Sequence, residues 1–320
     1  MSGGWNTIES DAGVFTYLLE NLGVTGVQFE ELISLDPAML AQLQPVYGVI
    51  FLFKYPTDQP YTSASGPQDG EYDHAASQNM FFAQQTIQNA CGTQALLSVL
   101  MNKPDDIDMG AEMRAFRDFT LTLPPEYRGE SLSNSELIRS VHNSFARASP
   151  FVDETQRDGG EPEDAFHFIA YTLHNGTLYE LDGLQPAPIA HGACDQPRFP
   201  AMVMDVLQRR VVRYAASEIR FNLLAMVGDQ RVRAREFGDL EMLEREEQKR
   251  RDWMFENALR KHNFVGFAGE VLKMVVADKE AKGQYRPWIN QSLERMRNQQ
   301  AMYRKAGGGG GVEDVDMAEK

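Results

Sequence analysis

Cysteine, histidine and long apolar runs are scarce in this chain. Its 320 residues include two cysteines and six histidines, without the short spacings typical of zinc ligands. Two cysteines are also too few for a disulfide framework. We therefore expect no metal, no cofactor and a reducing compartment in which a cysteine can stay a free thiol.

Signals for membranes and export are missing as well. No segment approaches 18 consecutive apolar residues, which predicts no membrane span. Residues 1–5 lack the charged and apolar regions of a signal peptide. The sequence therefore predicts no membrane partner.

Acidic residues dominate most of the chain. Residues 1–230 hold 13 Lys and Arg against 30 Asp and Glu, a net charge of −17. Residues 231–305 hold 17 against 12, a net charge of +5, and residues 306–320 carry −3. An acidic body disfavours nucleic acid and favours a basic ligand, although many acidic soluble proteins have no basic partner.

Cys91 lies where a polar stretch meets an apolar helical run that continues to Leu100. Asn89 is the predicted N-cap, which places Cys91 in the first turn of the helix. There the unpaired backbone N–H groups and the macrodipole favour a thiolate and can stabilise an oxyanion. The alternative is a buried structural cysteine, which only suitable partners exclude. We expect the second cysteine, Cys194, to be passive.

A predicted β-hairpin supplies those partners. The segment Phe166–Leu181 is rich in aromatic and β-branched residues, and the Asn175-Gly176 pair within it is typical of a type I′ turn. This turn pairs residues whose numbers sum to 351. Asp182 then lies diagonally from His167 on the same face of the sheet, roughly 7–8 Å away between backbones. A slip of one residue would send the two to opposite faces.

Together these residues predict a cysteine hydrolase. His167 would deprotonate Cys91, or hold it as an ion pair, and later protonate the leaving amine. Asp182 would orient the imidazole and stabilise its cation. Gln85, six residues before Cys91, carries an amide suited to an oxyanion hole, but its spacing alone is more typical of an ordinary surface glutamine, since Gln84 and Gln88 lie nearby.

Several motifs resemble the ubiquitin C-terminal hydrolase family. The resemblance extends from residue 5 to about residue 228, and it rests on the segments Trp5–Phe15, Phe81–Cys91, Asp164–Phe168 and Leu178–Leu184. It implies an α+β, papain-like cysteine peptidase fold, with helices around a central antiparallel sheet.

The resemblance also implies a role for each site residue. Cys91 is the nucleophile, His167 the general base, Asp182 its orienting partner and Gln85 the oxyanion donor. Ubiquitin is the implied substrate. One departure is Gly92, where the family pattern has alanine; glycine costs helix propensity there but leaves the chemistry intact.

Residues 146–165 form a polar stretch that ends beside His167. Its length and composition predict a mobile connection. The resemblance implies an active-site crossover loop that limits which leaving groups reach the thiol. A plain surface linker is the alternative.

Beyond residue 230 the chain is dense in charge. Residues 231–251 predict a long solvated helix, and further amphipathic stretches lie at 262–276 and 288–303. The predicted apolar stripe of the first helix consists of Phe237, Leu240, Leu243, Trp253 and Phe255. Such helices need a partner surface.

This C-terminal region resembles the extension of the proteasome-associated member of the family, through Arg260–Phe264 and Phe267. The resemblance implies docking of residues 231–305 onto a ubiquitin receptor of the proteasome regulatory particle. Related complexes serve a chromatin remodeller, and the implied location is cytoplasmic and nuclear. The departure is at the end, where a five-glycine linker, Gly307–Gly311, replaces a Lys/Glu-rich tail.

The sequence therefore predicts three parts. Residues 1–230 form a catalytic domain, residues 231–305 a helical extension, and residues 306–320 a disordered Gly-rich and acidic tail. Two other functions stay open: a ubiquitin-binding scaffold held inactive until a partner binds, and a general papain-like peptidase. The complete triad argues against permanent inactivity, although the charged helices leave regulation by a partner open, and the acidic, loop-covered site argues against the general peptidase.

Overall fold

The computed structural model describes residues 4–55, 66–145, 166–214 and 218–306. The chain divides into two compact units, residues 1–262 and 263–320. The predicted crossover loop at 146–165 and the tail from Gly307 onward lie outside the described residues. The predicted domain boundaries at 230 and 305 stay predictions.

The described strands form one antiparallel sheet in the order β1-β7-β2-β4-β5-β6-β3. Their bounds are β1 Val27–Glu31, β2 Val46–Lys54, β3 Glu71–Tyr72, β4 Phe166–His174, β5 Thr177–Leu181, β6 Ile189–Ala193 and β7 Asn222–Gly228.

Helices within residues 12–261 surround this sheet, and two further helices of the described chain belong to the second unit. Their bounds are α1 Ala12–Asn21, α2 Pro37–Gln42, α3 Ala76–Asn79, α4 Cys91–Leu100, α5 Gly110–Thr120, α6 Pro125–Asn134, α7 Glu136–Asn143, α8 Phe199–Val211, α9 Gln230–Phe237, α10 Leu240–Lys261, α11 Val265–Ala281 and α12 Tyr285–Ala306. The predicted α+β architecture with a helical C-terminal extension is confirmed. In the described parts of the chain, no helix combines the length and apolar character needed to span a membrane.

Two hydrophobic cores cover the two faces of the sheet. Ile50 of β2 and Ala170 of β4 pack with α1 and α4. Their sequence neighbours Phe51 and Tyr171 belong to the other core, with α8. This alternation follows from the two-residue period of a strand, and it places α4, which begins with Cys91, against the middle of the sheet.

The predicted hairpin is confirmed together with its register. Asn175 and Gly176 have φ angles of 47° and 74°, the positive values that a type I′ turn requires. Thr172 pairs with Tyr179, so paired numbers sum to 351 as predicted.

The predicted long helix at 231–251 is instead two helices. Gly238 adopts the left-handed region at φ 67° and ends α9, and the Asp239 side chain accepts a hydrogen bond from Met242 N to begin α10. The predicted apolar stripe is also wrong in part, because Phe237, Leu240 and Phe255 are exposed.

The buried face of α10 is polar. Arg250 donates to Glu20 (2.6 Å) and to Gln28 (3.3 Å), and Asn257 donates to the Gly13 carbonyl (3.1 Å). With the half-buried Trp253, these residues pack α10 on α1 and β1. Hydrogen-bonded polar and charged side chains therefore pack this face of α10, where apolar side chains were predicted.

The amphipathic stretches predicted at 262–276 and 288–303 fall in α11 and α12. No residue of α11 is buried. Its exposed apolar side chains include Phe267, Val271, Leu272 and Met274.

Candidate active site

Cys91 is the first residue of α4 and is 8% exposed. A short 3-10 turn, Gln88–Ala90, leads into the helix. The predicted cap at Asn89 is wrong: Ala90 holds the N-cap position without a side-chain cap bond. The Asn89 amide instead donates to the Trp5 carbonyl (3.0 Å). The predicted position of Cys91 in the first helical turn is nevertheless confirmed.

His167 and Asp182 meet as the hairpin register predicts. His167 Nε2 lies 2.7 Å from Asp182 Oδ1, and both residues are almost fully buried. The same Oδ1 accepts a hydrogen bond from Leu184 N (3.0 Å), which holds the carboxylate in place.

The charge of His167 is set by these neighbours. Burial alone lowers the pKa of the imidazole. The attraction and hydrogen bond of Asp182, together with a hydrogen bond to Cys91, outweigh burial and raise the pKa of His167 to about 9. At neutral pH the imidazole therefore carries a proton. His167 therefore contacts Asp182 directly and lies close enough to Cys91 for the thiol to influence its pKa.

Aromatic rings enclose the imidazole. The ring of Phe53 lies 5.8 Å from it and that of Tyr55 lies 6.0 Å from it, both in edge-on contact. The guanidinium of Arg210 stacks on the Phe53 ring, 4.6 Å from the ring centre. These contacts limit the rotation of His167.

Arg210 belongs to a second buried charged cluster that the sequence did not reveal. It pairs with Glu180 (2.7 Å), and Glu180 also meets Tyr171 Oη (3.0 Å) and His191 Nε2 (3.3 Å). Burial raises the pKa of Glu180, but Arg210 and His191 outweigh it and the net shift is downward. A charged carboxylate two residues before Asp182 is thereby balanced within the fold.

Gln85 lies on the extended segment before the 3-10 turn and is half-buried. Its backbone N donates to the carbonyl of Gly183 (2.8 Å), the residue after Asp182. The structure therefore brings the Gln85 backbone beside the loop that carries Asp182. Its role as oxyanion donor stays a prediction.

Cys194 is buried in the core beside α8. Burial is the main cause that raises the pKa of its thiol, which favours the protonated, unreactive form. This environment agrees with the expected passive role.

A buried thiol, an imidazole and a carboxylate linked in this order define the class of cysteine hydrolases. Comparison with known proteins narrows the class. A family profile described as ubiquitin carboxyl-terminal hydrolase, family 1, matches residues 5–212. A second profile, described as ubiquitin carboxyl-terminal hydrolases, matches residues 239–280.

Individual relatives agree with these profiles. Ubiquitin carboxyl-terminal hydrolase 2 of Schizosaccharomyces pombe is 47% identical over 296 residues, covering 91% of this chain and 95% of the relative. Ubiquitin carboxyl-terminal hydrolase ubh-4 of Caenorhabditis elegans is 39% identical over 303 residues, covering 88% and 90%.

A solved structure is similar as well. The crystal structure of Trichinella spiralis UCH37 bound to ubiquitin vinyl methyl ester is 33% identical, with a TM-score of 0.60. The match covers 80% of this chain and 99% of that one. The chain therefore belongs to the ubiquitin carboxyl-terminal hydrolase family, and it is a thiol-dependent hydrolase. The resemblance inferred from its motifs is confirmed.

Proposed function

We propose that this protein is a deubiquitinase that cleaves the amide or isopeptide bond after the C-terminal glycine of ubiquitin. The observation that carries the proposal is the 2.7 Å contact of His167 with Asp182, with His167 close enough to Cys91 at the start of α4 for the thiol to influence the pKa of the imidazole. The similarity to a hydrolase whose structure contains ubiquitin vinyl methyl ester supports ubiquitin as the substrate.

Each site residue has one step in the proposed reaction. His167 holds the thiol proton while the Cys91 sulfur attacks the terminal glycine carbonyl and forms a C–S bond. The Gln85 side-chain amide donates to the resulting oxyanion. His167 then protonates the leaving amine as the C–N bond breaks, which leaves an acyl-thioester.

Water completes the cycle. His167, now neutral, removes a proton from a water molecule that attacks the thioester carbonyl. The C–S bond breaks, ubiquitin leaves with a C-terminal carboxyl group that loses its proton to solvent, and the Cys91 thiolate is again paired with the protonated His167. Asp182 stabilises the imidazolium in both halves of the reaction, which fits the raised pKa of His167.

The charge of the body fits this substrate. Residues 1–230 carry a net charge of −17, and the ubiquitin tail recognised by the family is Arg-rich before its two glycines. An acidic surface of this kind speeds encounter with a basic tail at low salt.

The reaction is tested with a fluorogenic C-terminal amide of ubiquitin. Wild type should release the fluorophore, and Cys91→Ala should not while still binding ubiquitin. Cys194→Ala is the matched control, because it removes the other thiol and should retain turnover. Residual turnover by Cys91→Ala would show that another residue is the nucleophile.

We further propose that residues 231–305 dock onto a ubiquitin receptor of the proteasome regulatory particle, and that the protein is cytoplasmic and nuclear. The apolar side chains exposed on α11 support a docking role: Phe267 is 69% exposed, and Met274, two turns later on the same face, is 72% exposed. Such a row on one helix suits a partner that supplies an apolar groove.

The docking proposal is tested by calorimetric titration with that receptor. Phe267→Asp should weaken binding by roughly tenfold or more, whereas Lys273→Arg, which keeps the charge on the same helix, should not. Equal binding by both variants would contradict docking through this face. If wild type hydrolyses ubiquitin amides only after the receptor is added, the inactive-scaffold alternative applies to the free protein.

A further inference from the structure

The extended segment Met80–Thr86 connects α3 to the turn before Cys91 and carries Gln85. None of its described residues from 81 to 86 lies in a helix or strand, yet residues 80–83 are buried. Buried backbone N–H and C=O groups need partners. Their partners here come from two sides of the segment in alternation.

The odd-numbered residues are held from one side. The side-chain amide of Asn102 accepts from Phe81 N (2.8 Å) and donates to Phe81 O (2.9 Å). Gln94 Nε2 donates to Ala83 O (2.6 Å). Gln85 N donates to Gly183 O (2.8 Å).

The even-numbered residues are held by α6 from the other side. The buried Arg128 donates through Nη1 to the carbonyls of Met80 (2.8 Å) and Phe82 (3.2 Å). Gln84 N donates to Pro125 O (2.9 Å). The hydroxyls of Thr86 and Ser133 are 2.6 Å apart. With both edges bonded, the segment has little freedom to shift along or across its own axis.

Gln94 is the link between this segment and the nucleophile. It lies on α4 three residues after Cys91, so the two are neighbours on the helix surface, and it is 5% exposed. A Cβ placed on Gly183 would overlap Gln94 Nε2, so the amide also packs against the residue that follows Asp182. One side chain thus contacts the Gln85 segment and the Asp182 loop from the helix of Cys91.

We propose that Gln94 is a positioning residue: it sets the distance between the oxyanion donor Gln85 and the nucleophile Cys91. This inference rests on the proposed function. Gln94 acts through Gln85 and does not itself touch the substrate. Because oxyanion stabilisation depends on geometry fixed before the reaction, loss of this bond should lower kcat while KM changes little.

The variant Gln94→Met keeps the length of the side chain and loses its donor. We expect kcat for the fluorogenic ubiquitin amide to fall roughly tenfold, less than the 10²–10³ expected for Gln85→Ala. KM should stay within about twofold, since ground-state binding is unchanged. In the double variant Gln85→Ala/Gln94→Met, kcat should equal that of Gln85→Ala, because the second change has nothing left to position.

A matched control exists at the far end of the sheet. Gln230 is 2% exposed and its Nε2 donates to Gly228 O (2.9 Å). Gln230→Met therefore removes the same kind of bond. β7 ends beside the start of β2, whereas Phe53 near the end of β2 pairs with His167, so the two sites are roughly 20 Å apart. Gln230→Met should lower the melting temperature without changing kcat.

The outcomes separate this inference from the proposed function. No turnover by folded wild type would refute the function itself. With active wild type, a normal kcat in Gln94→Met, a normal kcat in Gln85→Ala, or losses that multiply in the double variant would each overturn the positioning role. If Gln94→Met does not fold, Gln94→Glu takes its place in the same single and double variants, because it replaces the donor with an acceptor of equal shape.

Discussion

Asp182→Asn isolates the charge of the His167 partner. His167 Nε2 and Leu184 N both donate to the same oxygen, Oδ1. An asparagine can keep this oxygen in place and accept both hydrogen bonds. The substitution therefore removes the negative charge without removing the orientation, which differs from replacement by alanine.

The magnitude follows from the pKa of His167. Folding raises the pKa of His167 from 6.5 to about 9, although burial lowers it. The effect of burial remains when Asp182 is replaced. One pKa unit corresponds to about 1.4 kcal/mol, so the net upward shift corresponds to about 3 kcal/mol, and the attraction of the neighbours exceeds this value because it also offsets burial. We expect the pKa of His167 in Asp182→Asn to fall below 6.5, and kcat to fall roughly 10²–10³-fold with it.

Stability should report the same change through its pH dependence. A histidine whose pKa is raised by folding stabilises the folded state fully below its unfolded pKa, and this contribution is lost as pH rises through the folded pKa. In the parent protein the loss should therefore occur between pH 6.5 and about 9. In Asp182→Asn this window should show no such loss.

The assay is urea unfolding near pH 6 and near pH 10, with Cys91 retained in both proteins because its contact with the imidazole contributes to the raised pKa of His167. The parent should exceed Asp182→Asn by about 3 kcal/mol near pH 6, and this difference should largely vanish near pH 10. A difference of equal size at both pH values would refute the reasoning. A fall in kcat of about 10⁴ would instead indicate that the asparagine turned and imposed the wrong tautomer.

Three other positions and one pair of truncations test single features of the fold. Asn175→Ala should lower the free energy of unfolding by about 1–2 kcal/mol, because alanine is strained at φ 47°; urea unfolding measures this. Gly92→Ala should change that energy by less than about 1 kcal/mol and keep turnover, since the gain in helix propensity offsets the contact of its methyl with the Ile8 side chain. Trp253→Ala should cost about 2 kcal/mol, part of the cost for a core tryptophan, because the indole is half-buried; an unchanged stability would mean that α10 packs too loosely to matter. A chain ending at residue 262 should melt at the wild-type temperature by calorimetry, whereas one ending at residue 230 should fold and turn over substrate but melt earlier.

The contact of His167 with Asp182 could be predicted because it is local. One Asn-Gly turn determines the pairing of two adjacent strands, and the pairing determines which side chains share a face. The structure confirms each step, down to the paired numbers and the 2.7 Å contact.

Contacts between distant parts of the chain could not be predicted in this way. Arg210 meets Glu180 from α8, and Gln94 meets Ala83 across the interior. No periodicity in the sequence relates such pairs. The error at Asn89 has the same origin, because a capping residue was inferred from its neighbours while its amide bonds Trp5, 84 residues earlier.

The buried face of α10 was missed for a different reason. Apolar periodicity identifies helix faces that pack through hydrocarbon side chains. The buried face of α10 packs through paired ions instead: Arg250 with Glu20 at 2.6 Å and Lys249 with Glu30 at 2.5 Å. Arg260 likewise meets Asp11 (2.9 Å). A charged stripe is therefore consistent with packing when acidic residues lie opposite.

This pairing also changes where the positive charge of the extension is available. Residues 231–262 hold 9 Lys and Arg and 8 Asp and Glu, a net charge of +1, and several of those cations face the acidic body. Residues 263–305 hold 8 against 4, a net charge of +4. The basic excess predicted for the whole extension therefore lies almost entirely beyond residue 262. A partner that binds there should be acidic around its apolar groove, and its affinity should fall as salt concentration rises; an affinity independent of salt would leave the apolar side chains of α11 as the sole basis of docking.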